Sequence, residues 1–362
     1  MLDANRMSMS VDKRRGLRQA FFANECKKGW ATMADFRQAL LERLRSITEC
    51  EPDRLPHLVN ECVTPDCEFH LSAPIGRLRG GDEICDGFFH PLRTAMAGLH
   101  RRDLMFIGGD NRRDVGGRWC AAVTHYVGNF TAPFLSIPPS SHLVFLRAGE
   151  FYRIEDGLIA EARIILDLPD LLRQAGRFPF PFSYGAEVAF PAPATQDGLL
   201  PAGGSGAATL DIVEGMLTDL HAFDPDAMSS AGQTGAGGRW GDDMMWYGPA
   251  GIGSNYRWDG FVKDHREPFL RAFPDRKGGN HYCRIGDGDY AAVSGWPSMT
   301  MTWQGDYLGE RADGRPLTLR VMDFYRCAGG RIRENWVMLD YTDLLKQMGV
   351  DLIARANEGQ RA

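Results

Sequence analysis

The chain has 362 residues, 44% of them hydrophobic, and a formal net charge of −6. That length predicts two domains with room for a core each, and the acidic balance argues against nucleic acid as the main partner. No apolar run reaches the ~20 residues that span a bilayer, so no membrane partner is expected.

Before about residue 30 the sequence is polar and basic, with Arg6, Lys13, Arg14, Arg15, Arg18, Lys27 and Lys28. It has no apolar core for a signal peptide and reads as an N-terminal extension, 1–30. Met33, Phe36, Leu40, Leu41, Leu44 and Ile47 then recur at helical spacing. A short helix is expected over Leu55–Cys62, a strand around Phe69 and His70, and a Gly/Pro loop through Gly81. Ile84–Met96 is helical in pattern, with Pro91 bending it or starting a fresh turn. Three β segments follow, at Leu104–Ile107, Trp119–Phe130 and His142–Arg153.

Residues 179–206 are rich in Pro and Gly and read as a linker. The order then repeats. Leu210, Ile212, Val213, Met216, Leu217 and Leu220 predict an opening helix, and Met244–Tyr247 a strand. The loop GPAGIG leads to a helix with Phe261, His265, Phe269 and Phe273. Further β segments are expected near Tyr282–Ile285, Tyr290–Trp303 and Pro316–Arg326.

The repetition is explicit at the end of each half. Glu150–Gly176 (EFYRIEDGLIAEARIILDLPDLLRQAG) aligns without a gap on Asp323–Gly349 (DFYRCAGGRIRENWVMLDYTDLLKQMG) after a shift of 173 residues. A period this long marks two domains, at 31–178 and 207–352, with a tail at 353–362. Asp156-Gly157 and Gly329-Gly330 predict two-residue hairpin turns. Alternation puts Glu334, Trp336, Met338 and Asp340 on one strand face. Asp170 and Asp343 precede short apolar turns and are the expected helix N-caps, which leaves the duty of Asp167 and Asp340 open between structure and chemistry. Helices followed by a curved meander give an α+β fold, a tandem duplication in which each mainly antiparallel sheet curls around its helices into a cone with an apolar interior.

This arrangement resembles the nuclear transport factor 2-like fold. The pattern Glu334-x-Trp336-x-x-x-Asp340 with Leu344, Leu345, Gln347 and Gly349 resembles the SnoaL-like polyketide cyclases. The FYR segments and the loop Trp246–Gly253 are similar to a subgroup with two such domains in tandem. The resemblance implies general acid/base catalysis without metal or cofactor, on a carbonyl-bearing small molecule. It places the catalytic carboxylate at Asp340, with Asp167 its counterpart. It also implies pairing of the two sheets as an internal pseudo-dimer, with a homodimer as a further option.

Arg163 stands where the second copy has Trp336 and is expected to hold Asp167 ionised, leaving the C-terminal pocket as the working one. Trp336, Trp246, Tyr247 and Trp296 are core residues first and candidate walls for a flat ligand second. His125, His70, His265 and His281 are further candidates for substrate contact. The eight cysteines show no CxxC and no zinc spacing, and read as reduced thiols in a cytoplasmic protein. Two other readings share the fold: a non-enzymatic binding or scaffolding protein, and a hydrolase or dehydratase.

Overall fold

A computed structural model describes residues 33–224, 229–230, 233–235 and 237–358. The basic stretch before residue 33 therefore lies outside the described residues, as does Cys26. The remaining seven cysteines are free thiols, six of them buried.

The N-terminal half opens with α1 (Met33–Glu49) and α2 (Leu55–Cys62). β1 (Val63–Leu71), β2 (Arg77–Arg79) and a bent helical run, α3 (Gly80–Ile84) and α4 (His90–Ala95), come next. The meander is β3 (Met96–Asp110), β4 (Arg118–Phe130), β5 (Leu143–Glu155) and β6 (Leu158–Leu166), closed by α5 (Leu168–Gln174). The C-terminal half repeats this with α6 (Ala207–His221), a small ribbon of β7 (Phe223–Asp224) and β8 (Ser229–Ser230), then β9 (Trp240–Tyr247) and β10 (Ser254–Tyr256). α7 (Arg257–Phe261), α8 (Glu267–Ala272), β11 (Cys283–Asp287), β12 (Tyr290–Thr302), β13 (Pro316–Ala328), β14 (Arg331–Leu339) and α9 (Tyr341–Gln347) complete the repeat. Each half builds one six-stranded sheet, in the orders β2-β1-β6-β5-β4-β3 and β10-β9-β14-β13-β12-β11. β1 runs parallel to β6 and β9 parallel to β14, and every other pairing is antiparallel.

Local chemistry explains the recurring irregularities. Both helical runs widen into a π turn, at Cys85–Phe89 and Val262–Arg266, just before Pro91 and Pro268. Proline has no N–H and its ring collides with the carbonyl four residues back, so the turn expands. Both hairpins turn on residues with positive φ: Asp156 and Gly157 at 47° and 81°, Gly329 and Gly330 at 60° and 74°. That is the geometry whose twist matches paired strands.

Alternation along the strands gives each sheet two faces with different partners. On β13, Leu319, Val321 and Tyr325 join the core of the C-terminal cone. Met322 and Phe324 between them join a third cluster with Phe151, Ile165, Trp119, Ile107 and Trp336. That cluster is the layer where the convex faces of the two sheets meet. A Cβ added to Gly149 would lie 2.8 Å from Met338 Cγ across it. Burying each such side chain is worth ~1.5–3 kcal/mol.

The segments outside the repeats are packed as well. Phe180 enters the C-terminal core and Phe190 the layer between the sheets. Gly206, at φ 66°, caps α6 so close to the β11 turn that a Cβ there would lie 1.9 Å from Asp287 N. The stretch set apart as a tail forms α10 (Leu352–Glu358), and Ile353 and Ala356 bury in the N-terminal core. Leu352, one position earlier on the helix, joins the C-terminal core, so the helix bridges the two halves.

Candidate functional site in the C-terminal cone

A cavity of about 410 Å³ opens inside the C-terminal cone. Its walls are apolar and aromatic, from Leu319, Val321, Val337, Leu339, Trp240, Trp246, Phe261 and Phe269. α6 supplies Met216, Leu217 and Leu220, and the segment Pro274–Gly279 forms one rim. A few polar groups converge in it: Asp323, Tyr325, Asn335, His281 and His265.

Asp323 sits on β13 between Val321 and Tyr325, on the concave face. Burial in these walls pushes its carboxyl up to about 7, while hydrogen bonds with the Asn335 and Tyr325 side chains pull the other way. Tyr325 and Asn335 are cross-strand partners, so one register position delivers both. Asn335 also donates to Phe324 O at 3.0 Å, which fixes its amide.

Of the histidines that line the cavity, His265 and His281 are held neutral. Burial lowers both to about 3, reinforced at His265 by Arg266 and Arg276 and at His281 by Arg284 and Arg113. His265 stacks on Trp246 with ring centroids 4.3 Å apart. His281 Nδ1 accepts from Arg284 Nε at 3.1 Å. An arginine only donates, so the ring proton of His281 lies on Nε2.

The face expected to carry the chemistry points the other way. Trp336 and Tyr247 stack 5.2 Å apart in the layer between the sheets, and Trp336 Nε1 donates to Pro191 O at 3.0 Å. Glu334 pairs with Arg326 and accepts from Ala194 N there. Trp296 lies under the Arg320 guanidinium, 4.7 Å from the ring centre. Asp340 shares the parity of this face and does not line the cavity.

Asp340 is the N-cap of α9, accepting from Asp343 N at 3.1 Å, and pairs with Arg320 at 3.0 Å. Asp167 caps α5 in the same way, accepting from Asp170 N at 3.1 Å, and pairs with Arg147 at 3.1 Å. The expected assignment of the caps to Asp170 and Asp343 is therefore corrected by three residues, because each helix begins directly where the strand ends. Arg163 is not the partner of Asp167; it pairs with Glu161 at 2.7 Å and stacks on Tyr282 at 4.0 Å. Four residues of strand separate 163 from 167 by ~13 Å, beyond a direct pairing, whereas Arg147 lies beside Asp167 on the adjacent strand. Burial raises both Asp167 and Asp340 to about 6 against the pull of these arginines.

His125 is buried at an edge-on contact with Phe145, where burial and Arg147 lower it to about 4. His70 lies half-buried beside Glu68 at 3.5 Å. Neither reaches the cavity. Of the candidates read from sequence, Trp246, His265 and His281 come together there. Asp323 was missed, although both copies open the FYR segment with an acid.

In the N-terminal cone the equivalent acid, Glu150, is fully buried and bound. Arg101 donates to it at 2.8 Å and Tyr126 Oη at 2.5 Å. Phe88, which stands where the other half has His265, packs on Tyr126 at 5.9 Å, and both rings have no exposure. The positions that bring Asp323 and His265 to the cavity in one cone hold a bound Glu150 and a packed Phe88 in the other.

A profile of the SnoaL-like polyketide cyclases matches residues 42–175 and 237–348, together more than half of the chain. The chain belongs to the SnoaL-like polyketide cyclase family. Solved structures similar to this SnoaL-like protein include TsrD from Streptomyces laurentii, 22% identical over 38% of this chain and 93% of that one, with a TM-score of 0.31. IdmH from Streptomyces antibioticus is 19% identical over 39% of this chain and 99% of its own, at 0.31. A SnoaL-like protein from Jannaschia sp. CCS1 is 18% identical over 37% of this chain and 90% of its own, also at 0.31. No curated protein matches the chain. The fold is two SnoaL-like, nuclear transport factor 2-like domains in tandem. No described helix is long and apolar enough to cross a membrane. Among the described residues no group of three or more His, Cys, Asp or Glu is placed to hold a metal ion.

Proposed function

We propose that the C-terminal cavity catalyses proton transfer at carbon next to a carbonyl in a small apolar molecule, with Asp323 as the general base. The observation that carries this is a carboxyl group inside an apolar cavity, pushed up to about 7. Near neutrality such a group is divided between its two forms, so it can take a proton and return it. Asp323 removes a proton from the α carbon, and the electron pair moves onto the carbonyl oxygen as an enolate. The Nε2–H of neutral His281 donates to that oxygen in place of water. The enolate carbon then attacks a second carbonyl and the new alkoxide takes the proton back from Asp323, as in ring closure, or Asp323 returns the proton to a different carbon of the conjugated enolate, as in isomerisation. This reading moves the acid/base role from Asp340, and from its counterpart Asp167, to Asp323. The N-terminal cone, in which Arg101 and Tyr126 bind Glu150, serves structure.

The test uses 2-tetralone and a bicyclic β-ketoester as probes in D2O, with α-carbon deuterium incorporation followed by proton NMR. Asp323→Asn is expected to lower the exchange rate by ~10²–10⁴. Asp340→Asn keeps the cap acceptor and should retain most of the rate. Equal exchange in the wild type and Asp323→Asn would sink the assignment. Ester cleavage without α exchange would point to hydrolysis.

A further inference from the structure

A loop of the other domain holds the segment that brings His281 to the cavity. Asn111 and Arg113 lie between β3 and β4 of the N-terminal half, far in sequence from the cavity. Asn111 Oδ1 accepts from Arg284 N at 3.0 Å, and its Nδ2 donates to Tyr282 O at 2.9 Å. Arg113 Nε donates to His281 O at 3.1 Å, and Arg112 N to Arg284 O at 3.0 Å. Four hydrogen bonds from one short loop thus grip the backbone of residues 281–284. That is the segment in which Arg284 Nε reaches back to His281 Nδ1.

We infer that Asn111 and Arg113 are positioning residues, through which the N-terminal domain fixes the His281–Arg284 pair in the C-terminal cavity. The physical sequence is short. Holding the backbone at 282 and 284 fixes where the Arg284 side chain starts, and holding the carbonyl of 281 fixes the imidazole. The Arg284 donor then selects the tautomer that carries hydrogen on Nε2. The charged groups facing the ring are Arg284 and Arg113, with His221 at the cavity rim and Glu214 behind Arg284 at 3.2 Å. The N-terminal domain therefore bears on the site of its neighbour through this loop. The inference rests on the C-terminal cavity being the working site. Its test reads the ring itself, so failure of the catalytic reading would not resemble failure of this one.

The full chain is labelled with ¹⁵N-histidine and the His281 signals are assigned by their loss in His281→Gln. In the wild type the ring is expected as the neutral Nε2–H form, persisting as pH falls to about 4. Asn111→Ala is expected to mix the two tautomers and to raise the proton affinity of the ring about tenfold as it relaxes toward solvent. Arg113→Lys keeps the charge but loses the Nε contact, and should mix the tautomers in the same direction to a smaller extent. It also supplies the reading if Asn111→Ala does not fold. Val59→Ala, in the N-terminal core, controls for general destabilisation and should leave the His281 signals unmoved. Unchanged tautomer signals in the folded Asn111 or Arg113 variant overturn the inference, and so does an equal change in Val59→Ala.

Discussion

Asp323 should make the protein less stable as pH rises, and Asp323→Asn should remove that dependence. Its carboxyl moves from an ordinary 3.8 to about 7 in the folded chain. The native state thus holds a proton that the unfolded state releases. Stability is unaffected below the unfolded pKa and falls as pH rises through the window from about 4 to 7. Three pKa units correspond to ~4 kcal/mol. The carboxyl keeps contact with solvent in the cavity, so ~2–4 kcal/mol is the expected range. Asparagine keeps the size and the hydrogen bonds to Tyr325 and Asn335 without a charge to desolvate.

Urea unfolding at pH 4.5 and pH 8 measures the effect, followed by tryptophan fluorescence, which the C-terminal half dominates with Trp240, Trp246, Trp258, Trp296, Trp303 and Trp336. Asp167 and Asp340 also titrate near 6, but both remain in either protein and cancel in the difference. The advantage of Asp323→Asn over wild type should be small at pH 4.5 and grow by ~2–4 kcal/mol at pH 8. A difference that stays flat across pH would refute the placement of an ionisable carboxyl in an apolar cavity.

Asp340→Ala removes a helix cap and the partner of Arg320, and should cost ~1–3 kcal/mol by chemical denaturation at pH 7. A loss of deuterium exchange in a fully folded Asp340→Ala, with stability unchanged, would reverse that assignment. Gly206→Ala drives a Cβ onto the backbone of Asp287 at a positive φ, and should destabilise by ~2–4 kcal/mol. A midpoint equal to wild type would show that the linker is not seated on the β11 turn.

Much of the architecture was legible because it is local and periodic. The duplicated FYR-to-QxG unit, the hairpin turns at 156–157 and 329–330, the opening helices and the prolines that interrupt the second helical run all depend on neighbours in sequence. Alternation also grouped Glu334, Trp336, Met338 and Asp340 correctly on one face. It left open which face of that strand points into the cone, because both faces of this sheet are buried and both are apolar. In a sheet with one wet face, the polar residues would have decided the direction; here a second sheet covers the convex side. The residues one position away from that face, Asn335, Val337 and Leu339, line the cavity.

The capping role of Asp340 and Asp167 was similarly hidden, since a three-residue offset decides which aspartate meets the first free N–H groups. Sequence by itself determined the duplication, the α+β class and the resemblance to the SnoaL-like family, because repeat, period and turn chemistry are written along the chain. Only the tertiary structure decided that Asp323 is the carboxyl in the cavity and that Glu150 is locked by Arg101 and Tyr126. It also decided that Asn111 reaches His281's segment from the other domain. Those relations join residues dozens to more than a hundred positions apart, and the burial that sets a carboxyl's proton affinity exists only once the walls around it have closed.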